Sequence, residues 1–314
     1  MGYQVDFGLE PIMDFSERIY TLEDLKKWKH AGKSLAVIGH PIEHSLSPVM
    51  HNAALADIAL YNTAIKDWHY YKFDIVPADL KEAIELMYTH GFRGINLTIP
   101  HKTLVMDLVT QIDPLAKRIG AANTLTWAPG SFMAFNTDAP GIEKAIEQAF
   151  LVSFRGNNVI LLGAGGAARA AAVQAIQSGC ESLWIGNRDQ QRLQKLLDDL
   201  KQFTQRDNIH GFPINQLPEA LPKEGIVINA TSVGMSPGDP APIGLNTFSN
   251  NIYVYDMIYS PPLTPLLRQA QVLEVPYANG LTMLVQQGAL ALELWTGAIA
   301  PVRTMMAAIE RCLL

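Results

Sequence analysis

The chain has 314 residues, of which 48% are hydrophobic and 17% charged, and its formal net charge is -6. That length accommodates two domains with a large buried core. A mildly acidic chain without Lys/Arg runs makes nucleic acid an unfavoured partner, and the lack of any apolar run of about 18 residues argues against a helical membrane span.

Residues 1–33 read as an extension before the first strand. Met1 to Glu10 shows no basic stretch followed by an apolar one, so no secretory signal is expected and a cytoplasmic location is. Thr21 is suited to cap a surface helix over 22–30, with Glu23 and Asp24 in its first turn and basic residues later. Residues 35–39 form a short apolar strand ending at a glycine turn, and 48–60 read as a helix. Residues 71–75 alternate as a strand. A helix over 79–90 places Leu80, Ala83, Ile84 and Met87 on one face, with Gly91 as its stop. A strand at 94–100, a helix at 103–109 and a strand at 123–127 follow. Strands alternating with helices predict an α/β unit with a mainly parallel sheet.

A turn at 137–141 leads into a connecting helix at 142–150. A second unit starts near Asn158, with strands at 158–162, 183–186, 227–230 and 253–256 and a Pro-rich loop at 236–242. Residues 283–314 are strongly helical, divided by Gly297 and Pro301. Cys180 and Cys312 form no metal or redox motif and read as buried or incidental thiols. His40, His44, His51 and His101 lack metal-ligand spacing, so no metal site is expected.

The apolar run Asn158–Leu162 leads into Gly163-Ala164-Gly165-Gly166-Ala167-Ala168-Arg169. The spacing Gly163-x-Gly165-x-x-Ala168 fits a dinucleotide-binding fingerprint. Gly163 permits the tight turn, Gly165 lets the backbone approach a pyrophosphate, and Ala168 allows close helix packing. Ala164, Gly166 and Ala167 complete the turn and the helix start, whose N–H groups face the phosphates. The next strand ends in Asn187-Arg188-Asp189, with Arg192 one turn further on. Arg188 and Arg192 can clamp a 2′-phosphate, which favours NADP. Asp189 can instead hold a free ribose hydroxyl, which keeps NAD open.

In the first half, Ser45-Leu46-Ser47-Pro48 sets two hydroxyls before a helix. They suit a carboxylate, although Ser47 before Pro48 is also an ordinary helix cap. Asn96-Leu97-Thr98-Ile99-Pro100-His101-Lys102 puts polar side chains at a strand end, where α/β sheets bind ligands. Lys102 is a candidate acid/base, with a surface lysine as the plain alternative. Asp138 in Asn136-Thr137-Asp138 can pair with it, or simply cap the next helix.

Taken in order, these segments resemble the shikimate dehydrogenase family. The others that carry the likeness are Gly120-Ala121-Ala122-Asn123-Thr124, Asn229-Ala230-Thr231-Ser232-Val233-Gly234-Met235, Tyr255-Asp256-Met257-Ile258-Tyr259 and Asn279-Gly280-Leu281-Thr282-Met283-Leu284-Val285-Gln286-Gln287. The likeness runs from about Leu35 to the C-terminus. It implies a substrate domain of residues 1–138 plus 281–314 and an inserted Rossmann domain at 139–280, with the site between them. It implies NADPH-linked reduction of 3-dehydroshikimate to shikimate by a monomer or homodimer. Lys102 and Asp138 resemble the catalytic pair, and Ser45 and Ser47 the hydroxyls that bind the carboxylate. Thr98, Asn123 and Gln287, with Asn96 nearby, resemble residues that hold the substrate. Tyr259 and Gly280 resemble residues lining the cleft, while Thr231, Ser232 and Ile258 lie beside the cofactor. Gln286-Gln287-Gly288 and Leu294-Trp295-Thr296-Gly297 look closer to the quinate/shikimate branch, which keeps quinate and NAD as an alternative. A non-catalytic sensor would show a broken Lys–Asp pair, and this sequence keeps both residues.

Overall fold

A computed structural model describes residues 18–30, 32–202, 204 and 207–313. Most of the expected N-terminal extension therefore lies outside the described residues. Its helix is present but short, Leu22–Lys26. Thr21 caps it as expected, and Asp24 closes the capping box by bonding back to the Thr21 backbone.

Seven strands form the first sheet: β1 (Ile19–Tyr20), β2 (Lys33–Gly39), β3 (Trp68–Asp74), β4 (Gly94–Leu97), β5 (Gln111–Ile112), β6 (Thr124–Ala128) and β7 (Ser131–Phe135). Their order is β1-β3-β2-β4-β6-β7-β5. The pairs among β1, β3, β2 and β4 are parallel, but β6 runs antiparallel to both β4 and β7. The expected mainly parallel sheet is therefore mixed on one side. The reason is local: Pro129-Gly130 joins β6 to β7 as a hairpin, with Gly130 at φ 88, and antiparallel neighbours need no crossover.

Six parallel strands form the second sheet: β8 (Asn158–Leu162), β9 (Ser182–Asn187), β10 (Ile209–Pro213), β11 (Gly225–Asn229), β12 (Ile252–Asp256) and β13 (Tyr277–Ala278). Their order, β10-β9-β8-β11-β12-β13, reverses at β8, which creates a crevice at the strand ends. Side chains of β8 are buried on both faces. Val159 and Leu161 join one core, and Ile160 and Leu162 the other. That double burial is why the sequence there reads as one apolar run.

Three further elements differ from the sequence reading. The helix expected at 103–109 is one short α-turn, His101–Leu104, followed by a 3₁₀ turn at Val105–Asp107. A helix at Pro114–Ile119 was not anticipated. Its signals were present: Asp113 caps it, Pro114 sits at its start, and Gly120 closes it in the left-handed conformation. The connecting helix begins four residues earlier than expected, at Asp138–Phe150.

That helix carries the chain out of the first sheet, and the helix Leu281–Thr296 brings it back. The two pack together, and the return is pinned by Trp295, whose indole N–H donates to the Leu125 carbonyl at 3.0 Å. They come close at Gly141, where a Cβ would lie 2.9 Å from the Gln287 Cβ. Gly141→Ala should therefore force the helices apart at a cost of about 1–3 kcal/mol. Urea denaturation checks this, and a variant as stable as the parent would show that the contact yields freely.

Candidate active site

Loops at the carboxyl ends of both sheets surround a cleft of about 520 Å³. Ser45, Ser47, Asn96, Thr98, Lys102 and Asp138 line it from the first sheet, and Tyr259, Gly280 and Gln287 line it from the other side. These nine residues, all singled out from sequence, thus come together here.

Lys102 sits one residue past His101. His101 is fully buried, and its Nε2 donates to the Ile75 carbonyl at 2.7 Å. The buried imidazole anchors the short helix, and Lys102 projects into the cleft. Its Nζ lies 2.7 Å from Asp138 Oδ2, with side-chain exposures of 26% and 8%. Asp138 is the first residue of its helix and does not serve as the cap. Asn136 takes that task, its Oδ1 accepting the Ala139 N–H at 3.1 Å. The Asp138 carboxylate is thereby left for Lys102.

Asn123 lies behind the cleft wall, 1% exposed. Its Nδ2 approaches Thr137 Oγ1 at 2.9 Å, Asp138 Oδ1 at 2.9 Å and Gln287 Oε1 at 3.1 Å. Two hydrogens serve three acceptors, so one acceptor is always available to another donor. The Asn123 Oδ1 accepts the Thr137 N–H at 2.7 Å, which fixes the amide orientation. Asn96 is equally engaged. Its Nδ2 donates to the Asn123 carbonyl and to Thr124 Oγ1, both at 3.1 Å, and its Oδ1 accepts from the Tyr70 hydroxyl at 2.8 Å. Asn96 therefore buttresses the cleft, with every polar atom already used.

Ser47 begins the helix Ser47–Ala59 and does not cap it. The cap position is Leu46, which offers no side-chain hydrogen bond. The plain reading of Ser47 as an N-cap is corrected on this point. Asn52 docks that helix by gripping Tyr70, accepting its N–H at 2.8 Å and donating to its carbonyl at 2.9 Å. Burial pushes the Tyr259 phenol above its ordinary pKa, so it remains a hydrogen-bond donor at neutral pH.

Two further cavities flank this cleft. One of about 370 Å³ is lined by Ala164, Gly165, Gly166 and Arg192. The other, about 820 Å³, is lined by Ala167, Thr231, Ser232, Ile258 and Tyr259. Gly163 has φ 118, and a Cβ there would meet the Ala230 carbonyl oxygen at 2.9 Å. Gly165 and Gly166 face open space. The helix Gly166–Ser178 starts there, with Ala168 fully buried against the core.

Arg188 is exposed and lines none of these cavities. Asp189 caps the helix Gln190–Lys201, its Oδ1 accepting from Gln191 and Arg192 N–H at 2.9 and 3.0 Å. Its Oδ2 lies 3.4 Å from Arg192 Nε. Asn187 donates to the Asp189 carbonyl at 2.7 Å and shapes the same turn.

Several residues around the site were not anticipated. Arg169 pairs with Asp199 beside the smaller cavity, which Lys195 also lines. Met235, Met257 and Met283 supply apolar wall. His40 lines the cleft and meets Asp74 at 2.6 Å. Arg169, Met235, Met257 and Met283 each lie in a motif already noted, which was the available signal. Asp199, Lys195, His40 and Asp74 are assembled only by the fold.

A parallel sheet with a glycine turn at its switch point, opening on a polar cleft that holds a Lys–Asp pair, defines a dinucleotide-linked α/β oxidoreductase. Residues 37–125 match the shikimate dehydrogenase substrate-binding domain, 144–235 match shikimate/quinate 5-dehydrogenase, and 280–310 match the shikimate 5′-dehydrogenase C-terminal domain. The chain is 37% identical to the shikimate dehydrogenase (NADP(+)) of Methanopyrus kandleri, over 88% of this chain and 94% of that one. It is 38% identical to that of a Geobacillus species, over 87% and 96%. The solved shikimate 5-dehydrogenase of Thermus thermophilus, in complex with NADP(H) and shikimate, is 34% identical with TM-score 0.78, covering 90% of this chain and all of that one. The chain belongs to the shikimate dehydrogenase family.

The capping geometry of Asp189 gives a direct test. Asp189→Ala should lower stability by about 0.5–2 kcal/mol through loss of the cap. Urea unfolding without cofactor measures it, and an unchanged midpoint would leave Asp189 free for a ligand role.

Proposed function

We propose that the chain catalyses the reversible reduction of 3-dehydroshikimate to shikimate with NADPH, within the shikimate pathway of aromatic amino acid biosynthesis. The observation that carries this reading is the 2.7 Å Lys102–Asp138 pair, set in a cleft between the serine turn and the glycine turn. The proposed substrate unit comprises residues 1–138 and 281–314, with the dinucleotide unit 139–280 inserted.

The residues present fit a dinucleotide. Open space above Gly165 and Gly166 leaves room for a pyrophosphate at the helix start, where the first N–H groups lack helical partners. Arg188 makes no hydrogen bond or ion pair among the described residues and would meet a 2′-phosphate, with Arg192 one turn on. When bound, the nicotinamide supplies the hydride. Thr231, Ser232 and Ile258 would hold its half of the cofactor.

Lys102 donates a hydrogen bond to the substrate carbonyl oxygen and stabilises the negative charge that develops there. It then gives that oxygen a proton. Asp138 orients the ammonium, and each charge stabilises the other. Ser45, Ser47 and Tyr259 donate to the carboxylate. Thr98 and Gln287 hold ring hydroxyls, and Asn123 sets the Asp138 and Gln287 oxygens from behind. Partners left unpaired by an analogue lacking a hydroxyl would exclude it. The proposed location is the cytoplasm, which accords with Cys180 and Cys312 not being joined in a disulfide.

Steady-state rates for shikimate and quinate, each with NADP and NAD, test the whole reading. Shikimate with NADP should give the highest kcat/KM, and a clear preference for quinate with NAD would overturn it. Lys102→Ala should cut kcat by about 10²–10⁴-fold with a smaller effect on KM. An undiminished kcat would remove Lys102 from its role. Arg188→Ala should weaken NADP by about tenfold or more while sparing NAD; equal weakening of both cofactors would remove the phosphate clamp.

A further inference from the structure

Asp256 is a buried carboxylate with no part in the proton transfer above. It ends β12 and is fully buried. Its Oδ1 accepts from the Asn229 side-chain amide and from the Ile258 N–H, both at 3.0 Å. Its Oδ2 accepts from the Thr264 hydroxyl at 2.7 Å. Three donors reaching two oxygens suit an ionised carboxylate. Burial raises its pKa above the ordinary aspartate value, and the three hydrogen bonds oppose that rise. Among the described residues it forms no ion pair with a lysine, arginine or histidine.

The groups that Asp256 holds are the wall of the cavity of about 820 Å³. Ile258 lines that cavity, as does Met257 before it. Asn229 accepts the N–H and the hydroxyl of Thr231 at 3.0 and 2.7 Å, and Thr231 lines the cavity too. One carboxylate thus ties together the ends of β11 and β12, behind the wall proposed for the nicotinamide half. Away from water, its field reaches through that wall with little screening. Across the cleft, Lys102 and Asp138 offset each other at 2.7 Å.

A nicotinamide ring is positive when oxidised and neutral when reduced. In the proposed reduction a ring C–H bond breaks, and the hydride carries its electron pair to the substrate carbonyl carbon. The carbonyl oxygen takes a proton from Lys102. The ring therefore gains a positive charge as the hydride leaves, and a fixed carboxylate behind it favours that state.

We propose that the Asp256 carboxylate stabilises the oxidised nicotinamide over the reduced one, and so sets how tightly the chain holds NADP relative to NADPH. This inference rests on the dehydrogenase reading above. Asp256 acts through its field from behind Ile258 and Thr231, so it is a positioning residue.

The test is the ratio of Kd for NADPH over Kd for NADP, measured by calorimetry without substrate. Asp256→Asn keeps the shape and removes the charge. Its Oδ1 can still accept two donors, and its amide can donate to the Thr264 oxygen. This variant should lower the ratio about threefold or more, by weakening NADP more than NADPH. Asp256→Glu, which keeps the charge, should retain most of the ratio. A ratio that stays the same or rises in Asp256→Asn would mean that the carboxylate only ties the two loops, and would overturn the charge assignment. Should Asp256→Asn fail to fold, the parent enzyme still decides. It should bind NADP about twofold or more tighter than NADPH. That ratio should change by less than about twofold between roughly 0.05 and 0.5 M KCl, because a buried charge is weakly screened. Equal or tighter binding of NADPH, or collapse of the ratio with salt, would overturn the inference. A parent that binds neither cofactor overturns the dehydrogenase reading and this inference with it. Binding of both, with an unaltered ratio in Asp256→Asn, overturns this inference alone.

Discussion

The cleft depends on the close packing of the helices Asp138–Phe150 and Leu281–Thr296. These are the two crossings of the chain between its sheets. One carries Asp138 at its first residue, and the other carries Gln287 directly opposite Gly141. Lack of a side chain at Gly141 lets the backbones approach. That approach brings Asp138 and Gln287 to the same amide, Asn123, at 2.9 and 3.1 Å. A helix pair that joins the sheets therefore also sets the polar geometry between them. Packing and chemistry share one contact, so a small displacement there reaches both.

Behind the cleft the polar groups form a connected network. Asn123, Thr124, Thr137 and Asn96 are each 5% exposed or less, and each is hydrogen-bonded to another member or to backbone. Burying so many polar atoms is tolerable only because nearly all find partners. Such a network holds one arrangement, because any rotation leaves a donor or acceptor unpaired at a cost of about 1–3 kcal/mol. Rigidity of this kind lets Lys102 and Asp138 keep their spacing without help from substrate. His51 shows the opposite solution. It is fully buried, its ring nitrogens have no hydrogen-bond partner among the described residues, and burial lowers its pKa to about 3. It stays neutral and stacks on Tyr70 at 4.2 Å, acting as a flat packing surface behind the serine segment.

Sequence reasoning recovered what is written locally. The glycine turn, β8, β9, β11 and β12 of the second sheet and the final helix pair all have short-range signals: buried runs, a left-handed glycine, 3.6-residue periodicity. The first sheet was less legible. β1 and β5 have two residues each, too few for any alternation to register, and the same holds for β13 at the edge of the second sheet. The antiparallel β6 was missed in direction because strand sense depends on the hairpin partner, and not on the strand itself. At the site, Lys102 and Asp138 could be named from the ends of their segments, but they stand 36 positions apart and their 2.7 Å pairing is a product of the fold between them. Asp74 lay in a strand that reads as ordinary alternation. Nothing within that strand says that its far end abuts the serine turn.

Cofactor choice shows how a local rule can be right in chemistry and misdirected in position. An acidic residue after the second strand of such a sheet ordinarily accepts the ribose hydroxyls. Asp189 stands at about the right distance along the chain, which is why it argued for NAD. Its Oδ1 is committed to two backbone N–H groups, and its Oδ2 faces Arg192. A carboxylate used this way offers little to a ribose, and its charge is partly offset by the helix start it caps. Arg188, one residue earlier, is left exposed and uncommitted. The capping demand of the helix Gln190–Lys201 thus removes the negative group from competition and leaves the positive one facing solvent. In the proposed NADP complex, that single local hydrogen-bond requirement would tilt this turn towards a phosphorylated ribose.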